Sequence, residues 1–417
     1  MENAMALTIR FKEDSFAIVF DELDRNIAPA VQREQTWEPW QLELYRRTIR
    51  ESWTCVDVGA NVGVNAIAMS RCAHRVYAFE PVELTHSLLL HNLALNASSN
   101  VTPYKFALGE DASVATIYAD RAELGRASIG TGAQEAIAPA LAPSLQVGGS
   151  VQVRPMDDWW DELQNPRIDF IKIDVEGFEP QVLSGAKRLL KANPEVLLVC
   201  EMNVEAHAAR EADQGKSSSS ASLFAQLQEL FKHVFFMGRD LQLHELHSYS
   251  QLRVLLMHGH PVDDLFCCNC IPDSVADMIA AKWTIPNRLT REYEVDQSST
   301  VLFVNRFPDG WTAPVDGHGN TQSAAVITTS RDAVVRLSLR PIYTKHAGPQ
   351  TYRVDLYGNN DAYYIDVTDK PAELALQFEA GIHWIFIETD FALPAGPYLG
   401  NPQDGRTIGA NVRLAIE

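Results

Sequence analysis

The sequence predicts a doubly wound α/β sheet followed by an all-β sandwich, and two observations carry this prediction. Over residues 51–210, apolar runs alternate with helical patterns, which is typical of parallel strands joined by crossover helices. From about residue 285 onward, short strands follow one another between Gly, Asn, Asp and Pro turns, with no convincing helix between them. We therefore predict a lead-in over 1–50, an α/β domain over 51–284 and a β-sandwich domain over 285–417.

The overall composition limits the partners that this protein can have. The 417-residue chain is long enough for two or three domains. Its formal charge is −19, and acidic residues outnumber basic ones on both sides of residue 284. We expect no nucleic-acid partner, because a surface that follows phosphates needs clustered basic residues. No apolar run is long enough to cross a bilayer, so we expect no membrane span.

The N-terminal residues and the cysteines indicate the cellular compartment. The first residues lack the basic and apolar segments of a secretory signal. Cys55 and Cys200 lie in apolar strands, and the cluster 267–270 lacks the second cysteine pair that a closed zinc site needs. Reduced thiols are the simplest account, and we therefore predict a cytoplasmic protein.

The α/β part follows a lead-in with a strand over 16–20 and an amphipathic helix over 38–50. The predicted strands that follow are 55–58, 76–79, 101–106, 115–118, 169–173, 196–200 and 233–237, the last preceded by a helix over 223–232. Short insertions rich in Gly, Ala and Pro are predicted for 122–150. The Ser-rich segment 212–222 is predicted to be a loop, which either covers an active site or is slack.

The first chemical motif joins a glycine loop to a carboxylate at the tip of the next strand. Residues 56–63 are Val-Asp-Val-Gly-Ala-Asn-Val-Gly, and a second apolar strand ends at Glu80. Glycines let the backbone approach a ligand closely, and the helix start offers free N–H groups. A carboxylate at the tip of the next strand can accept hydrogen bonds from ribose hydroxyls. Together these features predict a nucleoside pocket at the carboxyl ends of parallel strands.

The spacing of the glycines indicates which nucleoside binds. A dinucleotide site uses Gly-x-Gly-x-x-Gly, so that a pyrophosphate can lie against the helix N-terminus. Here Gly59 and Gly63 are separated by Ala, Asn and Val, and Asp57 would repel a pyrophosphate. A negative charge suits a cationic or amino-bearing ligand, which points to S-adenosylmethionine (SAM). The alternative is a glycine-bearing turn between a strand and a helix in some other α/β fold.

A second, acidic cluster follows two further strands. Asp174 and Glu176 follow one apolar strand, and Glu201 and Asn203 end the next. Residues just past parallel strands face the ligand crevice, so we expect them beside the SAM pocket. Asp174, Glu201 and Asn203 offer the hard oxygen ligands that Mg²⁺ or Mn²⁺ requires. In the alternative mechanism Asp174 or Glu176 acts as a general base; His207 is a further base candidate, with a surface position as its alternative.

Neighbouring side chains have simpler interpretations. Lys172 lies on the strand before Asp174, where pairing with a carboxylate is favoured over chemistry. Glu179 either joins the acidic cluster or stabilises a helix N-terminus. Trp37, Glu38 and Trp40 could line a pocket, although aromatic residues at such spacings belong more often to a core or an interface.

The two motifs and the segments between them resemble the FkbM family of SAM-dependent methyltransferases. The matching segments are Val56–Gly63, Tyr77–Pro81, Asn92, Phe106–Gly109, Ile171–Glu179 and Leu183–Ala186. The lead-in Trp37-Glu38 is also similar, and the resemblance covers about residues 35 to 205, some two-fifths of the chain. The resemblance implies a Rossmann-like methyltransferase sheet and O-methyl transfer, often onto sugar hydroxyls in polysaccharide biosynthesis or onto secondary metabolites.

The resemblance also implies roles for particular residues. Those that would hold the methionine part of SAM are Asp57, Gly59, Asn61 and Gly63, while Glu80 would take the ribose and Ala107 and Leu108 would flank the adenine. The metal hypothesis rests partly on similarity to catechol-type methyltransferases, from which the chain departs because Met202 separates Glu201 from Asn203. The segment 401–409 resembles a β module of bacterial cell-surface polysaccharide enzymes, which favours a glycan acceptor; a packing or homo-oligomer module is the alternative.

These observations predict a cytoplasmic SAM-dependent O-methyltransferase that acts on a small-molecule or glycan acceptor. One alternative is a nicotinamide-dependent dehydrogenase, against which the missing third glycine argues. The other is a glycan-binding protein with a vestigial methyltransferase domain, against which the intact set of Asp57, Glu80 and Asp174 argues.

Overall fold

The chain forms two compact units, Met1–Leu246 with Pro261–Trp283 and His247–His260 with Thr284–Glu417. The computed structural model describes residues 4–11, 14–120, 123–130, 146–203, 206–207, 220–237, 242–247, 249, 252, 262–279, 300–303, 322–329, 331–341, 350–356, 362–367, 370–379, 381–389, 393–394, 407–408 and 410–416. The predicted Ser-rich loop lies almost wholly outside these residues, as does most of the segment 401–409.

The described elements of the first unit are both strands and helices. Its strands are β1 Ala4–Phe11, β2 Asp14–Asp21, β3 Thr54–Val58, β4 Arg75–Phe79, β5 Val101–Tyr104, β6 Ala107–Leu108, β7 Ser113–Asp120, β8 Glu123–Gly130, β9 Gln146–Arg154, β10 Phe170–Ile173, β11 Leu197–Asn203, β12 His233–Met237, β13 Leu243–Glu245 and β14 Val262–Cys268. Its helices are α1 Ile27–Glu34, α2 Pro39–Thr48, α3 Val64–Ser70, α4 Glu83–Leu95, α5 Met156–Glu162, α6 Glu179–Ser184, α7 Lys187–Ala192 and α8 Ser220–Leu230, with a 3-10 helix at Asp273–Met278.

The central sheet has the order β13-β12-β14-β11-β10-β3-β4-β5. The five strands from β11 to β5 are parallel, and β14 runs antiparallel to both of its neighbours. The chain goes from β3 to β4 on one side, and it returns to β10 on the other. The crevice at such a switch point is where open α/β sheets bind ligands. This arrangement confirms the predicted Rossmann-like α/β sheet.

Two parts of the sequence prediction are wrong in this unit. Residues 115–118 do not join the central sheet, because β7 belongs to a separate sheet of order β6-β9-β7-β8. Residues 122–150, predicted as short insertions, contain β8 and the start of β9. Both strands pair antiparallel with β7, so their conformation depends on partners elsewhere in the chain rather than on local composition.

The lead-in is an integral part of the first unit. Strands β1 and β2 form an antiparallel hairpin, of which the sequence predicted only the second strand. The buried Asn92 of α4 accepts a hydrogen bond from Val19 N at 2.8 Å and donates to Val19 O at 3.0 Å. Its Nδ2 also donates to Val62 O at 2.8 Å. One asparagine therefore joins the hairpin to the loop that follows β3.

The described elements between residues 300 and 416, in the second unit, are all strands. They are β15 Thr300–Phe303, β16 Gln322–Thr329, β17 Ala333–Pro341, β18 Gln350–Leu356, β19 Ala362–Val367, β20 Ala372–Phe378, β21 Gly381–Thr389, β22 Leu393–Pro394, β23 Thr407–Ile408 and β24 Ala410–Ile416. One antiparallel sheet has the order β15-β16-β21-β18-β19 and another the order β20-β17-β24. Buried side chains of both sheets, including Ile327, Val335, Val354 and Leu376, form one apolar core.

The cysteines are all free thiols, and Cys270 is the exposed one among them. Among the helices that the structure describes, none has the length and apolarity needed to cross a bilayer.

Candidate functional site

The glycine loop lies between β3 and α3 and is held by backbone hydrogen bonds. The N–H groups of Gly59 and Ala60 both donate to Phe79 O, at 3.0 and 2.9 Å. Gly59 has φ +82°, and a Cβ there would lie 1.8 Å from Asp174 O. Gly63 has φ +98°. Gly59 is therefore required both for its left-handed backbone and for close approach to the strand end beyond β10.

Glu80 anchors the loop from the end of β4. Its Oε2 accepts a hydrogen bond from Asn61 N at 2.8 Å, and its Oε1 accepts from Val82 N at 2.9 Å and Thr85 Oγ1 at 2.7 Å. Burial raises the pKa of the Glu80 carboxyl above its usual value. Each carboxylate oxygen can accept more than one hydrogen bond, so ribose hydroxyls have acceptors here as well.

Asp57 is fully buried directly before the glycine loop. Within the described part of the chain, neither of its carboxylate oxygens has a hydrogen-bond partner, and Lys172 Nζ lies 3.7 Å from Oδ1. Burial raises the pKa of Asp57 to about 6, although Lys172 lowers it. Two buried acceptor oxygens beside a glycine loop fit a ligand with a cationic amino group, as SAM has.

Lys172 links the glycine loop to the acidic cluster. Its Nζ lies 2.9 Å from Asp174 Oδ2 and donates to Gly59 O at 3.4 Å, in addition to its contact with Asp57. Burial lowers the pKa of Lys172, but the charges of Asp174 and Asp57 raise it by more, so the ammonium stays protonated. The predicted pairing of Lys172 with a carboxylate is confirmed.

The structure brings together Asp174, Glu176 and Glu201, each with a carboxylate oxygen within 4.8 Å of the others. Asp174 and Glu176 are partly exposed, whereas Glu201 is 7% exposed and its Oε2 has no hydrogen-bond partner in the described part of the chain. Burial and the charges of Asp174 and Glu176 raise the pKa of Glu201 well above its usual value. Glu176 has φ +55°, a left-handed backbone that is rare for this residue type.

The structure departs from the predicted ligand set at Asn203. Its Nδ2 donates to Glu176 Oε2 at 2.8 Å, and its Oδ1 accepts from Ala206 N at 3.0 Å. The amide oxygen is thus directed at the backbone, and Asn203 orients Glu176 rather than joining the carboxylate oxygens. Glu176, which the sequence predicted as a general base, is the third member of the acidic group, with Asp174 and Glu201.

His207 is a second correction. It is fully buried, so the surface position is wrong, and its Nε2 lies 2.9 Å from Glu179 Oε2. Glu179 Oε1 in turn accepts hydrogen bonds from Val175 N and Gly177 N. His207 therefore supports the 175–177 turn through Glu179.

Helix α2 and strand β14 meet beside this site through a contact that the sequence pattern does not predict. Asp264 of β14 accepts hydrogen bonds from Trp40 Nε1 and Gln41 Nε2, both at 2.8 Å. Burial, then the charges of Asp264 and Asp174, raise the pKa of Glu38. The carboxyl groups of Glu38 and Asp264 both interact electrostatically with Asp174. The Trp-rich start of α2 was visible in the sequence, whereas no local signal marked Asp264.

Ala107 and Leu108 are buried on β6. The preceding residue, Phe106, has its ring centroid 5.3 Å from that of Phe79, which directly precedes Glu80. The predicted adenine-flanking segment is thus connected through aromatic packing to the strand that carries the predicted ribose ligand.

The glycine loop, the buried Asp57 and Glu80 at the tip of β4 lie together at the switch point, where open α/β sheets bind their ligands. Residues 57–239 match the family model described as the methyltransferase FkbM domain. The resemblance to the FkbM family is confirmed over these residues.

Individual relatives are similar to parts of the chain. "Methyltransferase 1" of Beauveria bassiana (strain ARSEF 2860) is 32% identical over 145 residues, which cover 31% of this chain and 57% of that protein. The chain thus spans little more than half the length of this curated relative. A precorrin-6y methyltransferase structure from Geobacter metallireducens has a TM-score of 0.28 at 12% identity, covering 55% of this chain and 87% of its own. A T. thermophilus 16S rRNA methyltransferase in complex with AdoMet and guanosine has a TM-score of 0.31 at 11% identity, covering 64% and 51%.

Proposed function

We propose that the protein is a SAM-dependent O-methyltransferase that acts on a hydroxyl of a sugar, a glycan precursor or a glycosylated metabolite. The observation that carries the proposal is the buried Asp57 carboxylate, which lies beside the glycine loop without a hydrogen-bond partner in the described residues. SAM, when bound, supplies a methyl group that is already activated by its sulfonium. The protein then contributes mainly alignment of the two reactants.

The cofactor contacts follow from the loop geometry. The methionine part of SAM is assigned to Asp57, Gly59, Asn61 and Gly63, the ribose to Glu80, and the adenine to Ala107 and Leu108. The support is that Glu80 already fixes the backbone of Asn61, so the loop and its ribose acceptor form one hydrogen-bonded unit.

The acceptor hydroxyl must lose its proton during transfer, and the acidic group provides two ways to achieve this. In the first, Asp174 or Glu176 acts as general base, which their partial exposure supports. In the second, a bound Mg²⁺ or Mn²⁺ lowers the pKa of the hydroxyl. Lys172, 2.9 Å from Asp174, keeps that carboxylate in position in both cases.

The described strands between residues 300 and 416 are proposed to form the β sandwich, with a glycan as the favoured acceptor and the cytoplasm as the compartment. The support for a sandwich is that two antiparallel sheets contribute to one apolar core. A role of this module in homo-oligomer formation is the alternative proposal.

Calorimetric titration of the full-length protein with SAM tests the cofactor assignment. We expect one SAM site, weakened at least about tenfold in Asp57→Asn and in Glu80→Gln, because each change removes one charged contact. Asp158→Asn is the matched control, since Asp158 is an exposed carboxylate on α5. Absence of SAM binding to the unmodified protein contradicts the proposal.

Mass spectrometry tests the acceptor. Nucleotide sugars, glycan fragments and glycosides are incubated with SAM and the protein, and we expect a gain of one methyl group on a hydroxyl oxygen. A product methylated on nitrogen or carbon would overturn the assignment to O-methyl transfer.

A further inference from the structure

The acidic group at the ends of β10 and β11 has an unusual charge balance. Asp174, Glu176 and Glu201 each direct a carboxylate oxygen to within 4.8 Å of the other two. Like charges at such separations repel one another, and partial burial strengthens the repulsion. A bound cation relieves this repulsion.

Glu201 supplies a second and independent observation. The side chain is buried on β11, with 7% of its surface exposed, and its Oε2 has no hydrogen-bond partner in the described part of the chain. A buried carboxylate oxygen without a partner is costly, because it loses its hydration and receives nothing in return. A cation bound by the acidic group would give the Glu201 carboxylate a partner.

Lys172, whose ammonium contacts this acidic group, is shared with the cofactor loop. Lys172 Nζ contacts Asp174 Oδ2 at 2.9 Å, but it also lies 3.7 Å from Asp57 Oδ1 and 3.4 Å from Gly59 O. One ammonium is thus shared between the cofactor loop and Asp174.

Glu176 is held in the manner of an oriented metal ligand. Asn203 Nδ2 donates to Glu176 Oε2 at 2.8 Å, while Asn203 Oδ1 is fixed by Ala206 N. Metal-binding carboxylates commonly have such an outer hydrogen-bond partner, which sets the direction of the remaining lone pairs.

We propose that Asp174, Glu176 and Glu201 together bind one hard divalent cation of the Mg²⁺ and Mn²⁺ class, with Asn203 as the residue that positions Glu176. Three carboxylate residues without a nitrogen or sulfur ligand select hard cations. That the cation assists deprotonation of the acceptor rests on the proposed function; the binding of the cation does not.

Binding of Mn²⁺ alone to the chelator-treated, full-length protein tests this proposal. Electron paramagnetic resonance reports free Mn²⁺, and its signal should fall until about one equivalent is bound. We expect the dissociation constant to rise at least tenfold in Glu201→Gln and in Glu176→Gln, which keep the side-chain volume. Asn203→Ala should weaken binding by tenfold or more, as loss of an outer-shell partner does. Mg²⁺ should compete for the same site.

The control is Asp158→Asn, which removes an exposed carboxylate and should leave Mn²⁺ binding unchanged. Circular dichroism of each variant verifies that it is folded. The proposal is overturned if the unmodified protein lacks a saturable Mn²⁺ site, or if both Glu variants fold and bind Mn²⁺ as tightly as the unmodified protein. SAM binding is measured separately by calorimetry. Failure of the cation proposal is therefore distinguishable from failure of the proposed function.

Discussion

The site has two halves, a cofactor half formed by the loop 57–63 with Glu80 and an acceptor half formed by Asp174, Glu176 and Glu201. They differ in how their polar groups are satisfied. In the cofactor half, the N–H groups of Gly59 and Ala60 and the carboxylate of Glu80 all have hydrogen-bond partners within the loop and the adjoining strand. In the acceptor half, Glu201 is buried with an unpartnered oxygen in the described residues, and Glu176 has a left-handed backbone. The backbone of the cofactor loop is thus satisfied within the protein, whereas a buried carboxylate in each half, Asp57 in one and Glu201 in the other, has at least one oxygen without a partner among the described residues.

The largest expected effect comes from changing Gly59, where the cofactor loop packs directly against the backbone of Asp174. In Gly59→Ala, the new Cβ would lie 1.8 Å from Asp174 O, which is backbone and cannot turn aside. The residue would also be held at φ +82°. We expect a loss of roughly 3 kcal/mol or more in the free energy of unfolding, measured by urea denaturation.

Gly149→Ala is the matched control for this change. Gly149 also has a positive φ, +121°, but a Cβ there would have no atom within 4 Å. Substitution of Gly149 by Ala costs only the free energy of holding a residue with a Cβ at positive φ, about 1 kcal/mol or somewhat more. Equal losses in the two variants would mean that the contact between the loop and Asp174 is not what requires glycine.

Lys172→Met should have the next largest effect, because it removes the cation shared by both halves. Asp57 and Asp174 would lose their common partner, and breaking a buried ion pair in this way costs about 3 kcal/mol. Adding Asp57→Asn should recover part of the loss, since it removes one of the unpaired charges. Losses that simply add in the double variant, measured by urea denaturation, would contradict the shared role of Lys172.

The pH dependence of Asp57 tests the cofactor half alone. Its pKa of about 6 means that SAM binding should weaken about tenfold between pH 7 and pH 5, because the proton neutralises the carboxylate that meets the cationic ligand. Calorimetry at both pH values measures this, with Asp57→Asn expected to bind weakly at each. A SAM affinity that stays constant over this range would contradict the role of Asp57.

The ligand-free protein should respond to pH in the opposite sense. Because burial raises the pKa of Asp57 from 3.8 to about 6, its ionisation disfavours the folded state. The protonated Asp57 therefore contributes stability to the folded state, roughly 3 kcal/mol in all. This stabilisation is fully present below about pH 4 and is lost as the pH rises through 6. Comparing urea denaturation of Asp57→Asn and the unmodified protein across this range isolates the effect.

The smallest expected effect belongs to His207→Gln. Because His207 contacts Glu179 rather than either reactant, we expect methyl transfer and SAM affinity to stay within about twofold, with a stability loss of about 1 kcal/mol. Glu179→Gln provides the contrast, since it disturbs the hydrogen bonds to Val175 N and Gly177 N. A large loss of activity in a stably folded His207→Gln protein would restore His207 as a catalytic candidate.

The sequence predicted the cofactor half better than the acceptor half, for a physical reason. Asp57, Gly59 and Glu80 lie on two consecutive strands, so their juxtaposition follows from one strand-helix-strand unit. Asp264 reaches the site on an antiparallel strand 223 residues after Gln41, its hydrogen-bond partner. Nothing local in the sequence marks that contact.

The acidic group contains Glu176 where the sequence predicted Asn203, and this difference has a similar origin. Chemical type alone made both residues plausible oxygen ligands. The left-handed backbone at Glu176 and the Ala206 N–H that orients Asn203 decide between them, and both depend on turns that the sequence pattern does not specify. In the same way, β8 and β9 depend on pairing with β7 rather than on their own composition.

Asn92 bears on where a minimal catalytic fragment could begin. A fragment that starts at residue 51, where the alternating pattern begins, would lack Val19, whose N–H and carbonyl bind the Asn92 side chain. The Asn92 side chain also donates to Val62 O. Losing the hydrogen bonds between Asn92 and Val19 would therefore loosen a loop that follows the removed strand by more than 40 residues in sequence. Shortening this protein for expression or engineering would thus weaken its cofactor loop from a distance.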